Sequence, residues 1–93
     1  MFFVYIIFSD KLNRFYIGTT DDVERRLVEH NSGLYANSFT VKGIPWRLSL
    51  SYCCESSELA YKLERFIKRM KSKKFIERLI EDEMILNDII GKL

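Results

Sequence analysis

The run 2–8, Phe-Phe-Val-Tyr-Ile-Ile-Phe, constrains this chain more than any other stretch. Successive side chains of a strand point to opposite faces, and here both faces are apolar or aromatic. Such a strand must be covered on both sides, so the chain has to build a sheet with packing against each face. The next strand-like run, 14–19, carries Phe15 and Ile17 on one face and Tyr16 and Gly18 on the other. Between the two, Ser9-Asp10-Lys11-Leu12-Asn13 supplies turn chemistry at a length that suits a hairpin. With 93 residues, 47% apolar and 14% aromatic, the chain reads as one small domain, 1–93, with enough apolar mass for a core. A single proline, four glycines and 30% charged residues argue against disorder. No apolar run approaches the ~20 residues of a membrane span, and residues 1–4 show no basic leader or cleavage site. The expected location is cytoplasmic, without a membrane partner.

Further along, Asp21 and Glu24 suggest a capping box that starts a helix from 22 to about 31, with Gly33 at or just beyond its end. Residues 34–45 are polar, mixed and punctuated by Gly43 and Pro45, and read as a loop. The stretch 46–54 alternates Trp46, Leu48, Leu50 and Tyr52 against Arg47, Ser49 and Ser51, as a half-buried third strand would. Ser56 and Ser57 offer N-caps for a helix from 58 to about 71, whose Leu59, Leu63, Phe66, Ile67 and Met70 should face the sheet. Ser72 restarts a helix carrying Phe75, Ile76, Leu79 and Ile80, and 84–90 suits a last short helix. The order β-β-α-β-α-α predicts an α+β class: a small three-stranded, mainly antiparallel sheet flanked by helices, with a core over about 2–75 and a helical extension over 76–93. Cys53 and Cys54 are adjacent and have no other cysteine to pair with, so one or both should be small core residues of the third strand. With one histidine in the chain, a zinc site lacks ligands.

The net charge of +2 says little about partners, but its distribution says more. Between 62 and 74 lie Lys62, Arg65, Lys68, Arg69, Lys71, Lys73 and Lys74 against one acid, Glu64. A basic stripe is the expected footprint of phosphate binding, and equally of a solvated helix face. From 77 to 88 the balance reverses, with Glu77, Glu81, Asp82, Glu83 and Asp88 against Arg78.

On the first helix, Val23 and Leu27 define the inward stripe, and Arg26 and His30 fall on it too. An arginine there is costly unless it meets a partner. Arg26 therefore either lines a cleft or snorkels past the edge of the core. His30 reads as a satisfied core residue or as a functional one. Tyr5 and Tyr16 are ordinary strand residues by propensity, each able to pack while hydrogen-bonding its hydroxyl. Gly18 inside a strand marks a bulge or a close backbone approach. Glu64 stands four residues before Lys68, the favourable orientation for a helix-surface ion pair. It also lies at the edge of the apolar face, where a carboxylate can reach into a cleft.

Val4-Tyr5-Ile6, Tyr16-Ile17-Gly18, Arg26, His30 and Glu64, in this order and at these separations, resemble the GIY-YIG nuclease superfamily. The segment from Tyr16 to Gly33, followed by that from Gly43 to Lys73, looks like its small stand-alone bacterial branch. The resemblance implies an endonuclease that hydrolyses DNA phosphodiesters with one divalent ion, Mg2+ or Mn2+, and relatives in excision repair point to DNA repair as a setting. It implies Glu64 as the metal ligand, Tyr5 and Tyr16 in the site with one of them handling the attacking water, Arg26 on the scissile phosphate, and His30 beside it. Gly18 and the cations Lys68, Arg69, Lys71, Lys73 and Lys74 would meet nucleic acid, with RNA as a further substrate class. Three departures bear on this. Phe3-Val4-Tyr5 replaces Gly-Ile-Tyr, Thr19 stands where the excision-repair branch has a lysine, and Asn87 is the only candidate for an asparagine that some members carry. No separate DNA-binding domain accompanies the site, so cleavage is expected to be guided by nucleic-acid structure or by a protein partner. The alternative is a non-cleaving nucleic-acid-binding module on the same fold. A third reading, partners docked on the acidic C-terminal helices, needs no nucleic acid at all.

Overall fold

The structure, a computed structural model, describes residues 1–33 and 39–93. Three strands form one sheet in the order β2-β1-β3, with β1 (Phe2–Ser9), β2 (Arg14–Thr20) and β3 (Trp46–Cys54). Both pairings are antiparallel. The doubly apolar strand takes the centre, as burial of both its faces requires. Val4, Ile6, Leu50, Cys54 and Ile17 face one layer, made of α2 (Ser57–Met70), α3 (Lys73–Glu81) and α4 (Met84–Ile90). Tyr5, Ile7 and Trp46 face the other, where Val23 and Leu27 of α1 (Val23–Asn31) cover them. The α+β expectation and the element order hold, with α4 present as the short last helix.

Several local expectations are corrected. The cap of α1 is Asp22, whose carboxylate accepts from Arg25 N at 3.0 Å. Asp21 instead pairs with the Arg25 guanidinium at 2.7 Å, which holds the Asp21 carboxyl below the ordinary range. Either aspartate suits a cap chemically, and only the backbone path decides. The expected loop over 34–45 contains a 3-10 turn at Phe39–Gly43, while residues 34–38 lie outside the described residues. Met70 does not face the sheet and is largely exposed, because α2 ends there and Lys71 turns into the left-handed region at φ 47°. Of the two cysteines Cys54 is buried and Cys53 exposed.

The largest correction concerns β3. Ile6 pairs with Leu50 but Ile7 with Leu48, so Ser49 is an extra residue at a bulge. One inserted residue exchanges the faces of everything beyond it. Trp46 therefore packs with Tyr5 and Ile7 under α1, whereas Leu50 packs with Val4 and Ile6 on the opposite side. The four residues expected on one face are divided between two. Asn31, at the end of α1, fixes the start of the strand: its side chain accepts from Trp46 N at 2.6 Å and donates to Trp46 O at 2.9 Å. The Trp46 indole donates to Thr40 O at 2.6 Å.

No helix among the described residues is long and apolar enough to cross a membrane.

Candidate active site between the sheet and the first helix

Tyr5 is 2% exposed, and it reaches from the central strand over its β2 partner Gly18. A Cβ on Gly18 would lie 2.4 Å from the Tyr5 hydroxyl and 2.6 Å from the ring carbon that bears it. The pairing of β1 with β2 runs through Gly18 without a bulge, so of the two meanings of a strand glycine it is the close approach that applies. Gly18 is buried, and the space it leaves belongs to the phenol. Gly18→Ala should therefore destabilise the fold by about 1–3 kcal/mol, as overpacking does, and push Tyr5 off its partners. Urea unfolding with Tyr5→Phe as background checks this, since removing the hydroxyl should recover part of the loss.

Those partners come from α1. The Tyr5 hydroxyl lies 2.9 Å from His30 Nε2, and Arg26 Nε donates to the same oxygen at 3.4 Å. A guanidinium can only donate. The oxygen thus accepts from Arg26 while sharing a second hydrogen bond with Nε2. Burial is the main reason that the Tyr5 hydroxyl is pushed up to about 12; Arg26 opposes the rise, and the charges of Tyr16 and Glu64 add to it. Burial first, and then the Arg26 charge, push His30 below its ordinary value, with Glu29 opposing. Both shifts favour the neutral forms of the two groups. Arg26 Nη1 lies 3.4 Å from Glu29 Oε1, which holds the guanidinium at the rim of the cluster. Of the two expectations for Arg26, the contact with Tyr5 fits a polar cleft.

The depressed pKa of His30 has a sign. The unfolded histidine binds a proton near its ordinary value of about 6.5, whereas the folded one resists it. Its contribution to stability is fully present above that value and is lost as pH falls from there through the folded pKa. Urea midpoints of the native protein should drop as pH falls through and below the ordinary histidine value, more than those of His30→Asn. Equal slopes would remove His30 as the cause.

Tyr16 is half-buried. Its ring centroid stands 5.1 Å from that of His30, 6.2 Å from Trp46 and 6.5 Å from Tyr5. Trp46 is the residue that sequence reasoning missed here, because the bulge that places it on this face has no signature in the alternation. Glu64 comes from the opposite layer. It lies in the middle of α2 at the edge of the buried face, its side chain is 18% exposed, and Lys68 Nζ donates to its Oε2. The charge of Glu64 is nevertheless among those felt at the Tyr5 phenol. Tyr5, Arg26, His30 and Tyr16 are thus drawn together under α1, with Glu64 approaching from the other side.

Among the described residues no three His, Cys, Asp or Glu side chains gather as a metal cage. The donors that do exist are hard oxygens, the Glu64 carboxylate foremost. They fit a magnesium-like ion, which accepts few protein ligands and keeps its waters.

The basic stripe divides. Lys68 serves Glu64, and Lys73 Nζ donates to Asn13 Oδ1 at 2.8 Å. Lys71 is the left-handed residue between α2 and α3, and Lys74 is exposed on α3. Arg69 lines a separate depression with Lys62, Arg65 and Lys68 on the outer side of α2. Asn87 accepts from the Tyr52 hydroxyl and lines an acidic depression beside β3, apart from the tyrosine cluster. Thr19 is half-buried next to Gly18 and brings no cation.

Residues 1–77 match the family model described as the GIY-YIG catalytic domain. A UPF0213 protein of Vibrio campbellii is 39% identical over 84 residues, covering 89% of this chain and 77% of that protein. The UPF0213 protein YhbQ of Escherichia coli is 32% identical over 91 residues, covering 98% of this chain and 88% of that one. The solution NMR structure of the UPF0213 protein BH0048 from Bacillus halodurans aligns with a TM-score of 0.54 and 33% identity, over 87% of this chain and 84% of that chain.

Proposed function

The chain belongs to the GIY-YIG family, and from that premise we propose that it is an endonuclease that hydrolyses DNA phosphodiester bonds with one divalent ion, Mg2+ or Mn2+. The observation that carries the reading is the cluster in which Arg26 and His30 both meet the Tyr5 hydroxyl, with Tyr16 packed alongside. A cation clamp is what this chemistry needs. The transition state of phosphoryl transfer gathers negative charge on the phosphoryl oxygens, and preorganised donors stabilise it there. The bound ion would supply Lewis-acid stabilisation of that charge and a more acidic water, with Glu64 as its protein ligand. Arg26, held by Tyr5 and Glu29, would clamp the scissile phosphate. Water attacks phosphorus, the bond to the leaving oxygen breaks, and a phosphomonoester and a free hydroxyl result.

The two phenols divide the work. Tyr5, buried and pushed up to about 12, is a poor proton acceptor and acts as a positioning residue for Arg26 and His30. Tyr16 is the more accessible phenol and orients the attacking water. Tyr16→Phe is accordingly expected to lower the single-turnover rate more than Tyr5→Phe, while Tyr5→Phe lowers the unfolding midpoint more than Tyr16→Phe. The reverse order in both measurements would exchange the roles.

One observation favours the competing reading, a module that binds without cutting: Lys68 occupies the Glu64 carboxylate. A cleavage assay separates the two. Single-stranded, duplex, flap and branched DNA, and RNA, are incubated with Mg2+ or Mn2+ and with EDTA, with Glu64→Gln purified in parallel. Metal-dependent cleavage that Glu64→Gln lacks supports the nuclease. Tight, salt-sensitive binding without cleavage by either protein supports the module instead. Thr19, an uncharged residue beside Gly18, accords with cleavage directed by DNA structure or by a partner protein. DNA repair is the setting proposed for that activity.

A further inference from the structure

From the edge strand β2 across the sheet towards β3, away from the tyrosine cluster, two depressions share Asn13, Phe15 and Lys73 and so form one groove. The nearer, about 540 Å³, is lined by Arg14, Lys68 and Lys71 above a floor of Phe15, Ile17 and Ile67, and no acid borders it. It begins one helical turn from Glu64, since Lys68 follows Glu64 by four residues, about 6 Å along the axis. The farther, about 430 Å³, is lined by Phe8, Phe15 and Arg47 with Glu77 and Glu81. Phe8 and Phe15 meet with ring centroids 4.8 Å apart and planes inclined at 56°, and the Arg47 guanidinium lies 5.0 Å and Lys73 Nζ 5.7 Å from the centre of the Phe8 ring.

We propose that this groove binds one unpaired DNA strand leaving the scissile phosphate, with phosphates at Arg14 and Lys71 and a base against the Phe15–Phe8 pair. The proposal rests on the nuclease reading of the adjoining site and names its substrate geometry. Cations alone would suit any nucleic acid. The apolar floor between them selects, because a duplex presents phosphate and sugar outward and keeps its base faces stacked. An unpaired strand offers those faces, and stacking on aromatic side chains is sequence-tolerant. Glu77 and Glu81 repel a phosphate at the far end and can accept from the N–H groups of a base, the ring N3–H of thymine included, so a base belongs there. Arg14 and Lys71 make no ion pair with a side chain among the described residues, which leaves their charge for the ligand.

The test measures binding by fluorescence anisotropy in EDTA, where nothing is cut, using labelled oligothymidylate, its ribose counterpart and a duplex. The main variant is Arg14→Glu with Lys71→Gly. Arg14 is exposed, and glycine suits the left-handed backbone at 71, so the unfolding midpoint should hold or rise. Single-strand affinity is expected to fall about tenfold or more, with the salt slope reduced by about 1.4 for two lost phosphate contacts. Phe15→Leu should lower it about fivefold or more with an unchanged slope, as loss of one stacked base does. Unchanged affinity and slope in Arg14→Glu/Lys71→Gly, or an equal loss on the duplex, overturns the proposal. A loss confined to the ribose strand overturns the assignment to DNA. If the variant loses binding and the native protein never cuts, the groove stands and the nuclease reading falls. If the native protein cuts and the variant binds and cuts unchanged, the groove alone falls.

Discussion

Glu64→Gln is expected to abolish metal-dependent cleavage, with a rate loss of at least about 10³-fold, equivalent to about 4 kcal/mol of activation free energy. The substitution keeps the size and one carbonyl oxygen of the side chain and removes the charge. A hard divalent ion held by a single protein carboxylate has little else to bind it, since no three His, Cys, Asp or Glu side chains gather among the described residues. The fold should be indifferent. The pair that Glu64 makes with Lys68 is an i,i+4 pair at the helix surface, worth about 0.3–0.5 kcal/mol. Removing an anion beside the phosphate path should leave DNA affinity in EDTA equal or higher. Rates titrated against Mg2+, beside anisotropy and an unfolding midpoint, check all three points. Cleavage that keeps its rate and its metal dependence in the variant would remove Glu64 as the ligand.

Arg26→Ala should lower the rate of the bound complex by about 10²–10³-fold, the loss typical of one donor aimed at transition-state charge. Binding should weaken far less, because one phosphate contact among several disappears. Lysine should rescue poorly. The guanidinium meets Tyr5 through Nε and Glu29 through Nη1, and an ammonium is a point charge without that fork. Arg26 is also the group that opposes the high pKa of Tyr5. Its removal drives the phenol further up and loosens the orientation of His30 from the same side. Single-turnover rates at saturating protein, set against dissociation constants, separate the two effects. Equal losses in rate and affinity would mean that Arg26 binds the ground state only.

Much of this was legible along the chain. The two-sided apolar run placed β1 at the centre, and the spacing of Val23, Arg26, Leu27 and His30 placed a cation and a titratable ring on the covered side of α1. Serine caps marked α2 and α3, where Ser56 and Ser72 accept from Leu59 N and Phe75 N. The ordered series from Tyr5 to Glu64 pointed to the family. These signals are local: each is a repeat or a cap written within a turn or two of chain, or a set of residue types whose order survives without coordinates.

What depended on distant partners was not legible. The bulge at Ser49 is a mismatch between two strands, so alternation in β3 alone placed Trp46 and Leu50 together when they lie on opposite faces. Gly18 was ambiguous until its neighbour across the ladder was seen to be the Tyr5 phenol. Lys68 and Arg69 were equal members of one basic stripe until Glu64 claimed the first and the far side of α2 the second. The sequence by itself determined the strands, the helices and the chemical inventory of the site, because periodicity and side-chain type are properties of short segments. Only the tertiary structure decided that Tyr5 is buried and Tyr16 more accessible, that Glu64 comes from the opposite layer, and that Arg14 joins the lysines along one edge. Those follow from strand register and layer packing, whose energies arise between residues far apart in the chain.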